Sequence, residues 1–268
     1  MIETFRTLGL LLIAQLVLSP IWAEPIRITV PRVSEAPQSA DFYIELLERS
    51  FIAIEVPLEI EVVETSHLRS RQNLRTGSID LAWVLESERR DQLYIPIPVG
   101  LTNGLIGKRL LLIRPQDQPV FDQIEQLSDL ARLGLVAGFG EGWYDAAVWE
   151  TNELPYIEHT GQWRYIYPML VRGREYDYFP RGMNEILTDA GNHPGLAIEE
   201  NLILEYERDF IFYLSPHAAH LEDILTRAVV RARDTGLIDT LVQKYWGDDF
   251  ESVHFSDRRT LPMMTPDH

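Results

Sequence analysis

The residues of this chain best equipped for chemistry are its arginines. Of 24 basic residues only Lys108 and Lys244 are lysines, and a guanidinium is a planar fork of donors that holds a carboxylate bidentately and keeps its charge. Arg89 and Arg90 follow the apolar run Ile79 to Leu85, which places a guanidinium just past the end of a buried strand. Arg181 stands in Asp177-Tyr-Phe-Pro-Arg-Gly182, also at a predicted strand end. Gly138-Phe-Gly-Glu-Gly142 follows a further strand and opens a helix at Trp143, so its amides are candidates to face an anion at the positive end of that helix. Trp83, Trp143, Tyr144 and Phe179 lie at or just beyond strand ends, where rings can wall a ligand, and Glu86 and Glu141 are acids that could supply a negative charge there. Residues of these kinds bind an anion without making or breaking a covalent bond.

The same reading removes other chemistries. There is no cysteine, hence no thiol nucleophile, thiolate zinc site or iron–sulfur cluster. No G-x-S-x-G, S-x-x-K or H-E-x-x-H string occurs, and His217-Ala-Ala-His220 with Glu222 lacks metal-ligand spacing. The glycines at 138, 140 and 142 run G-x-G-x-G, which is not the dinucleotide fingerprint, and Glu141 would oppose a pyrophosphate. Acids exceed bases by 41 to 24, a net charge of −17, so the long-range field repels nucleic acid. The expectation is therefore a non-enzyme with no catalytic residue, no metal and no cofactor.

The elements that position these residues follow from periodicity. Leu8 to Leu18 is almost wholly apolar and Ser19 to Ala23 breaks the run before a small residue, the layout of a secretory leader cleaved after Ala23, so a periplasmic protein is expected. Ile26 to Val30 alternates as a strand, Ala40 to Ile54 carries apolar residues at helical spacing, Pro57 to Val63 is a strand, Ser66 to Arg75 a helix stopped by Gly77, and Ile79 to Leu85 a buried strand. A long strand is expected between Ile95 and Ile113, leaving the first sheet. A second alternation follows, with strands at Leu133 to Ala137, near Tyr156 and at Tyr176 to Phe179. Short strands at Leu196 to Ile198, Leu202 to Tyr206 and Phe210 to Leu214 then precede two closing helices that stop at Gly236 and Gly247. Alternation of strand and helix demands crossover connections and mainly parallel sheets. Asn73-Leu-Arg-Thr-Gly77-Ser-Ile-Asp80 and Leu170-Val-Arg-Gly173-Arg-Glu-Tyr-Asp177 echo each other, each a helix end, a glycine and an acid opening an apolar strand. The echo suggests two similar α/β lobes.

This order of elements, with Leu74 to Asp80, Ser87-Glu-Arg-Arg90, Leu130 to Gly140 and Asp234 to Gly247, resembles the periplasmic solute-binding proteins of the type II fold, in particular their amino-acid-binding branch. Met169 to Gly182 is similar to an uncharacterised branch of exported members. The resemblance implies two lobes joined by two crossing strands, with residues 24–112 and 202–268 in the first and 113–201 in the second. It also implies hinge closure over a solute in the cleft, and delivery to an ABC importer or a sensor receptor by a monomer. Arg90, or its neighbour Arg89, would clamp the solute's carboxylate; Trp83, Glu86, Gly138, Gly140, Gly142, Trp143, Asp177, Phe179 and Arg181 would complete the site. Amino-acid binders carry a carboxylate a few residues after the aspartate at 177, and here the stretch supplies Arg181. Two arginines in one cleft suit a dicarboxylate, another anion or a peptide terminus better than a zwitterion, unless Glu86 or Glu141 restores the negative charge. A dehydratase-like enzyme on the same scaffold and a non-binding interaction scaffold are the alternatives, since fold does not settle function.

Overall fold

The computed structural model describes residues 24–33 and 39–266; the expected leader, residues 1–23, lies outside them. In chain order the first elements are β1 (Ile26–Val33), α1 (Ser39–Ile52), β2 (Leu58–Thr65), α2 (His67–Thr76), β3 (Leu81–Leu85), the single turn α3 (Glu88–Asp91) and β4 (Ile95–Ile97). Next come β5 (Lys108–Ile113), α4 (Gln118–Phe121), α5 (Ser128–Arg132), β6 (Ala137–Gly140), α6 (Tyr144–Thr151), β7 (Tyr156–His159) and α7 (Ile166–Val171). The chain closes with β8 (Tyr178–Gly182), α8 (Met183–Asn192), β9 (Ala197–Ile198), β10 (Leu202–Glu205), β11 (Phe210–Leu214), α9 (Glu222–Asp234), α10 (Leu237–Ser252) and β12 (Arg259–Pro262). None of the described helices is long and apolar enough to cross a membrane.

The first lobe is built on β1 and β2, parallel in register from Ile26 opposite Leu58 to Val33 opposite Thr65, and on an antiparallel group ordered β3-β11-β4. A parallel pair needs a crossover rather than a tight turn. Helix α1 provides it and buries Phe42, Tyr43, Leu46, Leu47 and Phe51 against α9 and α10. The second lobe is a seven-stranded sheet, β12-β10-β5-β8-β6-β7 with β9 also on β5, in which parallel and antiparallel pairs mix. Inside it Trp149 donates its indole N–H to the Tyr178 hydroxyl at 2.9 Å, both side chains fully buried.

The sequence echo is a structural repeat. Gly77 and Gly173 both sit at positive φ, +77° and +63°, which an L side chain rarely adopts. Asp80 then accepts the Thr29 N–H at 2.8 Å and returns its own N–H to the Thr29 carbonyl at 2.9 Å, tying β3 to β1. Asp177 does the same in the other lobe: it accepts the Val136 N–H at 3.0 Å and donates its N–H to the Val136 carbonyl at 2.8 Å. One aspartate thus buckles the start of a central strand in each lobe.

Several boundaries differ from the sequence expectation. The strand expected at Leu133 to Ala137 is β6, Ala137–Gly140, so Gly138 and Gly140 are strand residues and not a turn. A Cβ on Gly138 would lie 2.9 Å from Tyr176, and one on Gly140 would lie 2.5 Å from the Trp143 indole nitrogen, so these glycines clear room for rings. The long strand expected from Ile95 to Ile113 is broken between β4 and β5 by Pro98, by Asn103 and Gly104 at φ +50° and +75°, and by a turn at Leu105–Gly107. Helix α10 runs through Gly247 to Ser252, and strand β12 has no counterpart in the sequence expectation. β10 and β12 pair in the larger sheet, whereas the sequence expectation grouped residues 202–268 with the first lobe.

The chain passes between the lobes along residues 98–107, 206–209 and 253–258. The first two passages are pinned by one side chain. Asp209 accepts the Thr102 N–H at 3.0 Å, the Thr102 hydroxyl at 2.5 Å, the Gly104 N–H at 3.0 Å and the Phe210 N–H at 2.7 Å. Burial nevertheless pushes its carboxyl above the ordinary aspartate range. A Cβ on Gly100 would lie 2.7 Å from Asp209 Oδ2, and one on Gly107 would lie 1.9 Å from the Tyr206 carbonyl oxygen, so the two passages touch backbone to backbone. Removing the acceptor strands buried donors, which costs about 1–3 kcal/mol for a neutral group and more where a charge is involved. Asp209→Ala is therefore expected to lower the unfolding free energy by about 3 kcal/mol in urea titration, and Asp209→Asn, which keeps one oxygen in place, by less.

Candidate functional site

The expected site residues of the second lobe are occupied with one another. Arg181 lies on β8 opposite Leu110 of β5, only 6% exposed, with Nη2 2.7 Å from Glu185 and Nε 2.6 Å from Asp189. The rings of Phe179, Trp163 and Trp143 lie 4.9, 5.0 and 5.6 Å from its guanidinium carbon. Its charge is met by two carboxylates of α8. Phe179 is fully buried in the same cluster. Asp177 is spent on Val136 and, at 3.4 Å, on Arg114.

The amides of the glycine segment are spent as well. Gly142 donates to Glu158 at 2.9 Å, Glu141 to the His159 carbonyl at 3.2 Å and Trp143 to the Gly140 carbonyl at 3.1 Å. The first turn of α6 carries its own anion, Asp145, which meets Arg109 at 2.6 Å and accepts the Tyr206 hydroxyl at 2.9 Å. Asp145 and Tyr206 hold the Arg109 charge in place against the cost of burial. The expected anion cradle at this helix start is thus filled from within.

The first lobe gathers three arginines at one pocket. A pocket of about 260 Å³ lies between α2, β3 and α3, walled by Leu74, Ala82, Val84 and Leu93 and edged by Ser70, Ser87 and Tyr94. Arg71, Arg89 and Arg90 line it, and no carboxylate does. Arg90 donates Nη1 to the Leu85 carbonyl at 2.7 Å and to the Ser87 hydroxyl at 3.0 Å, which fixes its stem. No described residue pairs with its Nε or Nη2. Burial, and then the charges of Arg71 and Arg208, push its titration below the ordinary arginine range. The acid in its own turn, Asp91, accepts the Tyr213 hydroxyl at 2.6 Å instead. Trp83 is not at this pocket: it stacks on Tyr43 with ring centroids 4.9 Å apart, against the core of the first lobe.

On the other side of the Glu86–Ser87 step, a larger cavity of about 620 Å³ lies along the lobe crossings, lined by Glu86 of the first lobe, by residues of both passages and by Pro262 and Met263 at the end of β12. Arg208, in the second passage, is 3% exposed, and its guanidinium carbon lies 3.8 Å from the Tyr144 ring centroid. Its Nε and Nη1 are buried without a hydrogen-bond partner among the described residues, and so is the Tyr144 hydroxyl. Among the other charged residues lining the cavity, Glu205 pairs with Lys108 and Asp209 is fully engaged with Thr102, Gly104 and Phe210.

Of the residues expected to bind, then, Arg89 and Arg90 share one pocket, Glu86 faces the neighbouring cavity, and Trp143, Phe179 and Arg181 form a separate cluster in the second lobe. Arg71 was not among the expected residues, although its signal is visible: α2, His67–Thr76, carries Arg69, Arg71 and Arg75 and no acid to pair with them. Arg208 gives no such signal. It stands between Glu207 and Asp209, where a charged surface loop is the natural reading. No cluster of metal-ligating side chains occurs among the described residues.

No family model matches the sequence, and no curated protein is significantly similar to it. Solved structures do match. The chain is similar to the probable amino-acid ABC transporter extracellular-binding protein YtmK of Bacillus subtilis at 16% identity, covering 84% of this chain and all of that one with a TM-score of 0.62. An amino-acid ABC transporter substrate-binding protein of Streptococcus pneumoniae, bound to L-arginine, matches at 16% identity over 82% of this chain and 94% of that one, TM-score 0.54. An ancestral arginine-binding protein bound to arginine matches at 15% identity over 82% and 98%, TM-score 0.53. At such identities the likeness establishes architecture, and the architecture is that of the two-lobed type II periplasmic binding proteins.

Proposed function

We propose that the chain is an exported solute-binding protein that captures a carboxylate-bearing solute at the arginine pocket of its first lobe, closes the second lobe over it, and presents the closed form to an importer or a sensor in the membrane. The observation that carries this reading is the grouping of Arg71, Arg89 and Arg90 around one apolar-walled pocket with no carboxylate in its lining. Three like charges repel one another, and an oxyanion relieves that repulsion with charge-assisted, bidentate hydrogen bonds. The fold supports the rest: the structures it is similar to are those of binding proteins of amino-acid transporters. Export with cleavage after Ala23, a periplasmic location and a monomeric, non-enzymatic protein complete the proposal.

The test is thermal unfolding of the exported protein against a panel of amino acids, mono- and dicarboxylates, short peptides and small inorganic anions. A ligand that binds only the native state adds about 2.7 kcal/mol at a hundredfold excess over its Kd, a rise in Tm of several degrees. The rise is expected with carboxylates and is expected to vanish in Arg90→Ala and in Arg71→Ala. A panel without any shift would remove the reading.

Arg181→Met separates the two arginine clusters. It leaves Glu185 and Asp189 beside a buried gap, and breaking such a pair costs about 3–5 kcal/mol. The expected outcome is a lower urea midpoint with the carboxylate affinity of the surviving folded protein unchanged. A lost affinity at full stability would return Arg181 to the binding site.

A further inference from the structure

The most exceptional polar group in the molecule is the Arg208 guanidinium. It is almost wholly buried, its Nε and Nη1 have no partner among the described residues, and its carbon lies 3.8 Å from the ring centroid of Tyr144, whose hydroxyl is buried and equally unpartnered. Buried charges are ordinarily paired, because stripping their water is costly. The acids at hand do not pair with it. Asp209, next in sequence, spends both oxygens on Thr102, Gly104 and Phe210, and Glu86 and Glu207 border the same cavity without closing a salt bridge to Arg208.

We infer that Arg208 and the Tyr144 hydroxyl form a second oxyanion subsite, so that the solute of this protein carries two separate carboxylates, one held in the Arg71, Arg89 and Arg90 pocket and the other in the crossing cavity. The inference rests on the solute-binding reading above and deepens it. The two cavities are neighbours: Glu86 lines the larger and Ser87, the next residue, lines the smaller. Arg208 is close enough to Arg90 for its charge to act on it. A guanidinium donates through an edge and stacks through a face. The Tyr144 ring covers the guanidinium of Arg208, and Nε and Nη1, which open on different edges of the fork, are each left as a single donor for a carboxylate oxygen.

Placement ties this subsite to lobe movement. Arg208 belongs to the passage between β10 of the second lobe and β11 of the first, and Tyr144 opens α6 of the second lobe. Both nitrogens are sealed from solvent, so a carboxylate reaches them as the lobes part and is enclosed as they come together. A solute with one carboxylate fills the first-lobe pocket and leaves Arg208 unpaired; one with two satisfies both ends and favours the closed form.

The experiment is calorimetric titration of the exported protein with succinate, glutarate and adipate against butyrate, pentanoate and hexanoate, matched in chain length. At least one dicarboxylate is expected to bind tenfold or more tightly than its matched monocarboxylate. Arg208→Gln is expected to reduce that ratio to about one while leaving monocarboxylate affinity as it was, and Tyr144→Phe to reduce it in part. Circular dichroism verifies that each variant is folded, and Tyr144→Phe, which deletes one buried oxygen, keeps the test available should Arg208→Gln not fold. Equal affinity for matched pairs in the unaltered protein, or a ratio unchanged in both variants, overturns the two-carboxylate inference and leaves the solute-binding reading standing. Absence of binding by every carboxylate overturns the solute-binding reading and this inference with it.

Discussion

The carboxylate of Asp209 is the knot on which the two-lobed arrangement depends. A carboxylate offers about four acceptor positions, and here Thr102, Gly104 and Phe210 fill them with three amides and a hydroxyl. Those donors belong to the first passage between the lobes and to the strand that follows the second, so a single side chain holds two chain segments side by side. Gly100 and Gly107 permit that closeness, since a methyl group at either would meet Asp209 or the Tyr206 carbonyl. Saturation has a second effect. Having no acceptor left, Asp209 cannot neutralise the arginine beside it in sequence, and Arg208 is carried into the interior with its charge unanswered by its neighbours. The joint that sets the geometry of the lobes thereby also makes the most exposed-looking arginine of the sequence the most buried one.

How much of this was legible in the sequence depends on the range of the interaction that decided it. Helix α2 and its stop at Gly77, strand β11 at Phe210–Leu214, and the paired glycine and aspartate junctions were readable because periodicity and a left-handed cap are local properties. The register of β6 was not. Leu133 to Val136 is as apolar as a strand, but β6 begins at Ala137, and the glycines that look like a turn serve inside the sheet because Tyr176, Trp143 and Trp163 need the space above them. Gly247 reads as a helix stop, yet α10 continues to Ser252 with Gly247 buried where a Cβ would meet Gln243. β12 exists because β10 offers it a parallel edge, with Leu261 entering the core, and a strand made by its partner leaves little trace in four residues.

The candidate site shows the same division. The weight of arginine was legible from composition, and the position of Arg90 just past a buried strand from the apolar run before it. The ion pairs of Arg181 were legible in part, since Glu185 and Asp189 recur at a spacing of four from it, while the motif drew attention to the strand end. Asp177 makes the hydrogen bonds that Asp80 makes in the other lobe, and the echo between the two segments already contained that equivalence.

Charge balance gives these assignments their weight. With 41 acids to 24 bases, carboxylates outnumber cations, and the rule for an arginine that packs beside one of them is an ion pair. Arg109, Arg114, Arg132 and Arg181 follow that rule. Arg71, Arg89 and Arg90, which converge on one pocket, and Arg208, in the neighbouring cavity, do not. Three cations brought to one pocket with no acid in its lining make a local positive potential within a chain of net charge −17. Exposed arginines gain little from pairing and lose little without it, but Arg90 and Arg208 are withdrawn from solvent, where an unpaired charge is costly. On the proposed reading an anionic solute supplies the missing acceptors at both places, where the Leu85 carbonyl at one and the Tyr144 ring at the other hold the guanidinium.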